Sequence, residues 1–240
     1  MLRDEEDTMR MSRIGVAPRR ASRQRGNEII EFAVYAAFIV PLFLWTFVTG
    51  MNLLRMIQTT QICRDIGNLY IHGVDFSTYP AEQIAQRLSQ GYGLNVGAGF
   101  TAGVTNMYNN DTNSGNGWVV LSEVMFVGAA SCSSLPVGTA CTNQNKYVYL
   151  QRIDFGNRSV QFNGTTVTSA IGTPTATINA YGLVQNYLTD AGAVAPNFGN
   201  FLQTPLSDGQ QMYVAETFFA SPDLGISAYP AGGVYSRTFF

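Results

Sequence analysis

A lone carboxylate, Glu31, stands at the mouth of an apolar, uncharged run: Phe32–Leu54, 23 residues without Asp, Glu, Lys, Arg or His. A carboxylate at the edge of such a run is costly to desolvate, so by default it is read as functional there. The plainer reading places it among headgroups, with a topological role only. A second chemistry belongs to Cys132 and Cys141, in the polar stretch SCSSLPVGTAC. Their spacing suits a small disulfide-closed loop in an oxidising compartment, stabilising by about 2–3 kcal/mol. Cys63 is left over and reads as a small packing residue. His72 is the only histidine, with no nucleophile near it in sequence, so no catalytic triad or dyad is legible. Asn109, Asp111 and Asn113 have the alternate spacing of a calcium loop. Ser114 stands where that loop needs Gly, and Val120 where it needs a bidentate Glu, so a polar hairpin loop is the better reading. Asp75-Phe76-Ser77 begins an Asp-x-Ser metal-site pattern that is not completed. With no zinc spacing either, the expectation is a protein without catalytic residues, metal or cofactor.

Glu31 must be positioned by the apolar run itself. As a helix, those residues span about 34 Å, enough for a hydrocarbon core of about 30 Å. A core helix of that length would keep a polar face, and a secretory signal would be shorter, with small residues at its cleavage site. Seven of the 14 basic residues are arginines within the first 26 positions, whereas the remainder carries seven basic and twelve acidic residues. The basic flank places the N-terminus in the cytoplasm and everything after residue 55 outside it. The acidic remainder offers no surface suited to nucleic acid.

A helix is expected from about Asn27 to about Gly73, interrupted at Pro41. Past the span, Ile57, Ile62, Ile66, Leu69 and Tyr70 fall roughly on one face and predict packing under the exported domain. Residues 80–91 predict a shorter helix with proline at its start. From about residue 95, runs of Val, Phe, Tyr and Thr alternate with Gly, Asn, Ser and Pro clusters, which predicts an antiparallel sheet. The expected strands are 117–127, 146–155, 159–169, 211–219 and 234–240, with a hairpin turn at Asn163-Gly164. Residues 189–210 read as a long loop with little regular structure. The aromatic strand ends, Phe218, Phe219, Tyr235, Phe239 and Phe240, read as sheet core or edge. The fold class is therefore α+β: a long N-terminal transmembrane helix continuing into a membrane-distal, antiparallel β-rich domain. Its parts are a basic leader (1–26), the helix and its continuation (27–75) and an exported α+β domain (76–240).

The residues at the membrane entry read RQRGNEIIEFAVYAAFIVP. Gly26 after a basic leader, with Glu31 five residues beyond it, resembles the processing site of type IV prepilins. The resemblance implies cleavage by a prepilin peptidase between Gly26 and Asn27, and it gives Glu31 the task of neutralising an adjacent subunit's new N-terminal amine. The Glu31-Phe32-Ala33 triplet, Pro41, Gly50 and the Leu53-Leu54-Arg55 exit further resemble the TadE-like minor pilins of tight-adherence (type IVc) pilus systems. The likeness covers roughly residues 24–75. It departs from the family after Cys63, where the usual alanine-rich, arginine-repeating form is not reproduced. It implies a single-pass protein of the bacterial inner membrane with a periplasmic C-terminal domain, acting in pilus assembly and surface adhesion. The implied partners are prepilin peptidase, major and minor pilins, and inner-membrane lipid. The alternative is a signal-anchored periplasmic binding or adhesion module unrelated to pili.

Overall fold

Helix α1 runs Ala21–Ile71, with Pro41 inside it. In this computed structural model the described residues are 21–91, 94, 115–162, 164–220 and 233–240, with backbone alone at 21–27 and Tyr79. The chain divides into two units, one ending at Val48 and the other comprising Thr49–Phe240. The helix begins upstream of the expected Asn27, because Ala21–Arg25 contains good helix formers and only Gly26 weakens the turn.

In the first unit nearly every described side chain from Glu28 to Val48 is exposed, on all sides of the helix. Phe32 and Phe38 are each 74% exposed and Trp45 66%. An apolar helix bare on every face needs an apolar surrounding, and this one is long and apolar enough to cross a membrane.

In the second unit α1 becomes one-sided. Thr59, Ile62, Cys63, Ile66, Gly67 and Tyr70 are buried, at the three- and four-residue spacing of a single face. Ile57, expected on that face, is 49% exposed instead; it lies more than a turn before Ile62, the first apolar residue of α1 packed in the core. Gly67 lets the helix approach closely, since a Cβ there would run into the Phe240 ring. Gly73 ends the helix at φ +84. Val74 N–H donates to Leu69 O and Gly73 N–H to Tyr70 O, each at 3.0 Å, the paired bonds of a left-handed C-terminal cap. Helix α2 (Tyr79–Gly91) follows.

The sheet contains β1 (Gly117–Val127), β2 (Lys146–Gly156), β5 (Gln211–Ala220) and β6 (Gly233–Phe239), antiparallel throughout in the order β2-β1-β5-β6. Its register pairs Leu121 with Ile153 and with Ala215. One face packs Val119, Leu121, Ile153, Phe155, Ala215 and Phe219 against the α1 stripe and the Ala81 and Ala85 positions of α2. A register shift between Glu123 and Val124 leaves Leu150 as an extra residue in β2 and turns Tyr149 to the opposite face.

That opposite face is covered too, so both faces of the sheet are buried. Val124, Tyr149 and Val214 pack against Ile171, Val184, Ala193, Ala195 and Phe198. The segment read as a long loop is thus a second core layer. It carries two 3-10 turns, Ala191–Ala193 and Phe198–Phe201, and with the preceding stretch around Val184 it blunts the β2 edge: Ala195 N–H donates to Tyr147 O at 2.8 Å and Val184 N–H to Leu150 O at 2.9 Å. The expected strand over 159–169 shrinks to a hairpin of β3 (Gln161–Phe162) and β4 (Thr165–Thr166). Asn163 lies outside the described residues, and Gly164 has the φ of +77 that the turn needs. The hairpin stays short because Val160 and Val167 fold into a side cluster with Trp118 and Phe218. Of the aromatic strand ends, Phe218 and Phe219 are buried, while Tyr235, Phe239 and Phe240 are half-buried against the core.

Candidate functional site

Glu31 and Phe32 lie on α1 with exposed side chains. Among the described residues Glu31 makes no hydrogen bond or ion pair. Gly26 and Asn27 lie in the same helix by backbone, and their side chains are outside the described residues. The sequence motif is therefore arrayed along little more than one helical turn. Gly26 is its weakest point, since glycine inside a helix costs about 1 kcal/mol relative to alanine. An exposed carboxylate at the head of an apolar helix can receive a cation brought by another chain.

The cysteine pair forms a disulfide, Cys132–Cys141, with Cα atoms 5.7 Å apart. Helix α3 (Ala129–Cys132) leads into it. The Asp208 carboxylate, from the turn before β5, gathers that helix start: it accepts from Gly128 N–H and Ala130 N–H, each at 2.7 Å, and from the Ser131 hydroxyl. The Ser131 hydrogen bond, above all, holds the Asp208 carboxyl below its ordinary range. This arrangement satisfies otherwise orphaned N–H groups at a helix start, so the disulfide lobe is tied to the sheet at two points. Cys63 is a buried free thiol whose Sγ donates to Ala215 O at 3.2 Å, a packing role on the α1 stripe. Burial pushes that thiol up, which keeps it uncharged and unreactive.

His72 is exposed just after α1. Asp75 Oδ1 accepts from Ser77 N–H at 2.9 Å while Phe76 is buried, so Asp75-Phe76-Ser77 is a side-chain-closed turn. Asn109, Asp111 and Asn113 lie outside the described residues. Among the described residues no three His, Cys, Asp or Glu side chains gather where a metal ion could be held.

Sequence reasoning missed a buried polar cluster in the sheet. Arg152 of β2 and Glu216 of β5 are 1% and 0% exposed, with Arg152 Nη1 4.0 Å from Glu216 Oε2. Ser169 bridges them: its hydroxyl accepts from Arg152 Nη1 at 3.3 Å and donates to Glu216. Glu216 also accepts from Ala170 N–H at 3.0 Å and the Tyr235 hydroxyl at 2.9 Å. Arg152 donates to Ser122 Oγ at 2.9 Å. Burial, then Glu216, pushes the Tyr235 phenol up, so it stays a donor. The signal was present in the sequence: QMYVAETFF carries Glu216 as its single charge, and KYVYLQRIDF carries Arg152 inside a β-rich run, besides Lys146 and Asp154. Alternation puts Arg152 and Glu216 on one sheet face, but only the register shows that they approach each other. The cluster ties the 169–172 segment to the sheet and, being sealed from solvent, offers no place for a substrate.

No family model matches the chain, and neither a curated protein nor a solved structure matches it.

Proposed function

We propose that this chain is a TadE-like minor pilin or pseudopilin. In this reading a prepilin peptidase cuts it between Gly26 and Asn27. One helix anchors it in the inner membrane with the N-terminus cytoplasmic, and its β-rich domain lies in the periplasm. Its role is pilus assembly and, through the filament, surface adhesion, and its partners are major and minor pilins. The observation that carries the reading is the arrangement at the head of α1: Gly26, then an exposed Glu31, then 23 uncharged residues. Arginines concentrated before Gly26 supply the cytoplasmic bias.

Mechanistically, the helical turn at Gly26 unwinds at the least cost for entry into a peptidase site. Cleavage would leave the Asn27 amine as a fresh cation close to an apolar phase. The Glu31 carboxylate of a neighbouring subunit can neutralise it, and this pairing, strong where water is excluded, sets the axial register of the helices. The sealed β-domain then serves as a rigid body carried by the helix.

The test is the intact mass of the full chain extracted from membranes after co-expression with a prepilin peptidase. The expected N-terminus is Asn27, and an uncleaved Met1 form would sink the reading in favour of a signal-anchored binding module. Glu31→Ala should then be cleaved normally yet fail to enter filaments; undiminished incorporation would refute the register role.

A further inference from the structure

The two edges of the main sheet end differently. At β2 the edge is closed, with Val184 and Ala195 donating to Leu150 O and Tyr147 O. At the other side the order β2-β1-β5-β6 simply stops at β6. Tyr213 and Phe240 exchange both backbone hydrogen bonds, at 3.2 and 3.0 Å, which fixes the groups of β6 that face β5. Antiparallel alternation then turns Val234, Ser236 and Thr238 towards β5 and the N–H and C=O of Tyr235, Arg237 and Phe239 outwards. Among the described residues none of these outward groups has a hydrogen-bond partner. We propose that the outer edge of β6 docks an extended segment of another protein, which adds a strand to the sheet and sets a carboxylate against Arg237.

The chemistry of the edge identifies its occupant. Outward donors and acceptors at every second residue recognise an extended backbone, and the strand GVYSRTF has neither the Lys nor the Pro that guards an edge against pairing. Arg237 is its only charge. The half-buried guanidinium lies 3.6 Å from the centre of the Phe201 ring and 5.1 Å from that of Phe239, and it enters no ion pair among the described residues. Glu216, its register partner, is turned to Ser169, Ala170 and Tyr235 instead. A cation held by stacking at the middle of the edge favours an Asp or Glu directly opposite. A second copy of β6 fits worse. Cys63 Sγ meets Ser236 O while Gly67 approaches Phe240, so this part of α1 runs in the same direction as β6. A twofold β6–β6 ladder would point the two helices in opposite directions, which copies anchored in one membrane cannot adopt; that exclusion rests on the membrane-spanning reading of α1.

The test uses the full chain in detergent and, as probe, a short capped peptide of alternating threonine and valine with a single central glutamate. Hydrogen exchange at single-residue resolution reads the edge directly. Peptide should slow exchange of the Tyr235, Arg237 and Phe239 amides about tenfold or more, and leave Ser236 and Thr238, already bonded to β5, unchanged. A central lysine in place of the glutamate should weaken binding about fivefold, and Arg237→Gln should remove that preference. Arg237→Pro deletes an outward N–H and no bond to β5, so the sheet should persist while the peptide no longer binds. An absence of binding up to about 1 mM peptide overturns the proposal. So do outer amides as protected as Ser236 in the free chain, which would mean that the chain covers its own edge. Protection that rises with protein concentration alone, alongside a dimer in sedimentation, would give the edge to a second copy and also count against the spanning reading. None of these measurements reads cleavage at Gly26, so the pilin reading stands or falls separately.

Discussion

Removing the Glu216 carboxylate should be the most damaging small change in the β-rich domain. Glu216 is fully buried and takes three hydrogen bonds, from the Ser169 hydroxyl, Ala170 N–H and the Tyr235 hydroxyl. Its charge also balances Arg152, 1% exposed, whose Nε and Nη2 have no hydrogen-bond partner among the described residues. Glu216→Leu therefore strands a buried cation and orphans the Ala170 N–H and the Tyr235 hydroxyl, a loss of about 3–5 kcal/mol. For a domain of this size that lowers Tm by about 6–20 °C. Glu216→Gln keeps the shape and one good acceptor, and should cost about 2–3 kcal/mol. The assay is urea unfolding of the full chain in detergent, followed by near-ultraviolet circular dichroism, with Arg152→Met and the Arg152→Met/Glu216→Gln double variant completing a cycle. The double variant should cost clearly less than the sum of its parts, because it removes charge and counter-charge together. The reasoning fails if Glu216→Leu lies within about 1 kcal/mol of the wild type, or if the double variant is additive. Either result would mean that the pair, bridged by Ser169 and 4.0 Å apart, is energetically uncoupled.

Two further expectations concern pH and redox state. Burial, and secondarily Asp154, push the Glu82 carboxyl up to about 8. The folded state therefore keeps a proton that the unfolded chain has already released, and this contribution is complete below the ordinary Glu value and lost as pH rises through about 8. Glu82→Gln should abolish that slope and stabilise the domain at pH 8.5 by about 1–3 kcal/mol, with little effect at pH 4; a parent chain no less stable at pH 8.5 than at pH 5.5 would contradict the assignment. Reduction of Cys132–Cys141 should cost about 2–3 kcal/mol and leave the sheet signal intact, since the loop lies outside the strands. Loss of the β-sheet signal on reduction in native buffer would show that the lobe is needed for the sheet itself.

Some positions were legible because a local pattern decides them. The strand β1 matched its expected bounds because GWVVLSEVMFV is long, β-rich and bounded by glycine and a turn. The cysteine pair needed only spacing. The stretch 189–210 failed in the other direction: its Gly, Pro and Asn content correctly implied irregular backbone, but Ala193, Ala195, Phe198 and Leu206 are buried. Irregular segments have no periodicity from which an inward face could be read, so their place in a core becomes visible only when the sheet they cover is in place. Ile57 failed for a related reason: helical spacing names a face but not where along the helix a partner begins.

By itself the sequence determined the uncharged 23-residue run, the carboxylate at its mouth with Gly26 five residues before it, the arginine-rich flank and the α+β class. These are properties of neighbouring residues along one chain, and hydrophobic transfer and helical length act on them locally. Only the tertiary structure decided that Arg152 and Glu216 meet through Ser169, that Asp208 reaches across 80 residues to Gly128, and that Gly67 brings α1 up against Phe240. Those contacts depend on strand register and on the docking of α1. Burial makes such long-range pairings obligatory once formed, but no local pattern selects which distant residues will pair.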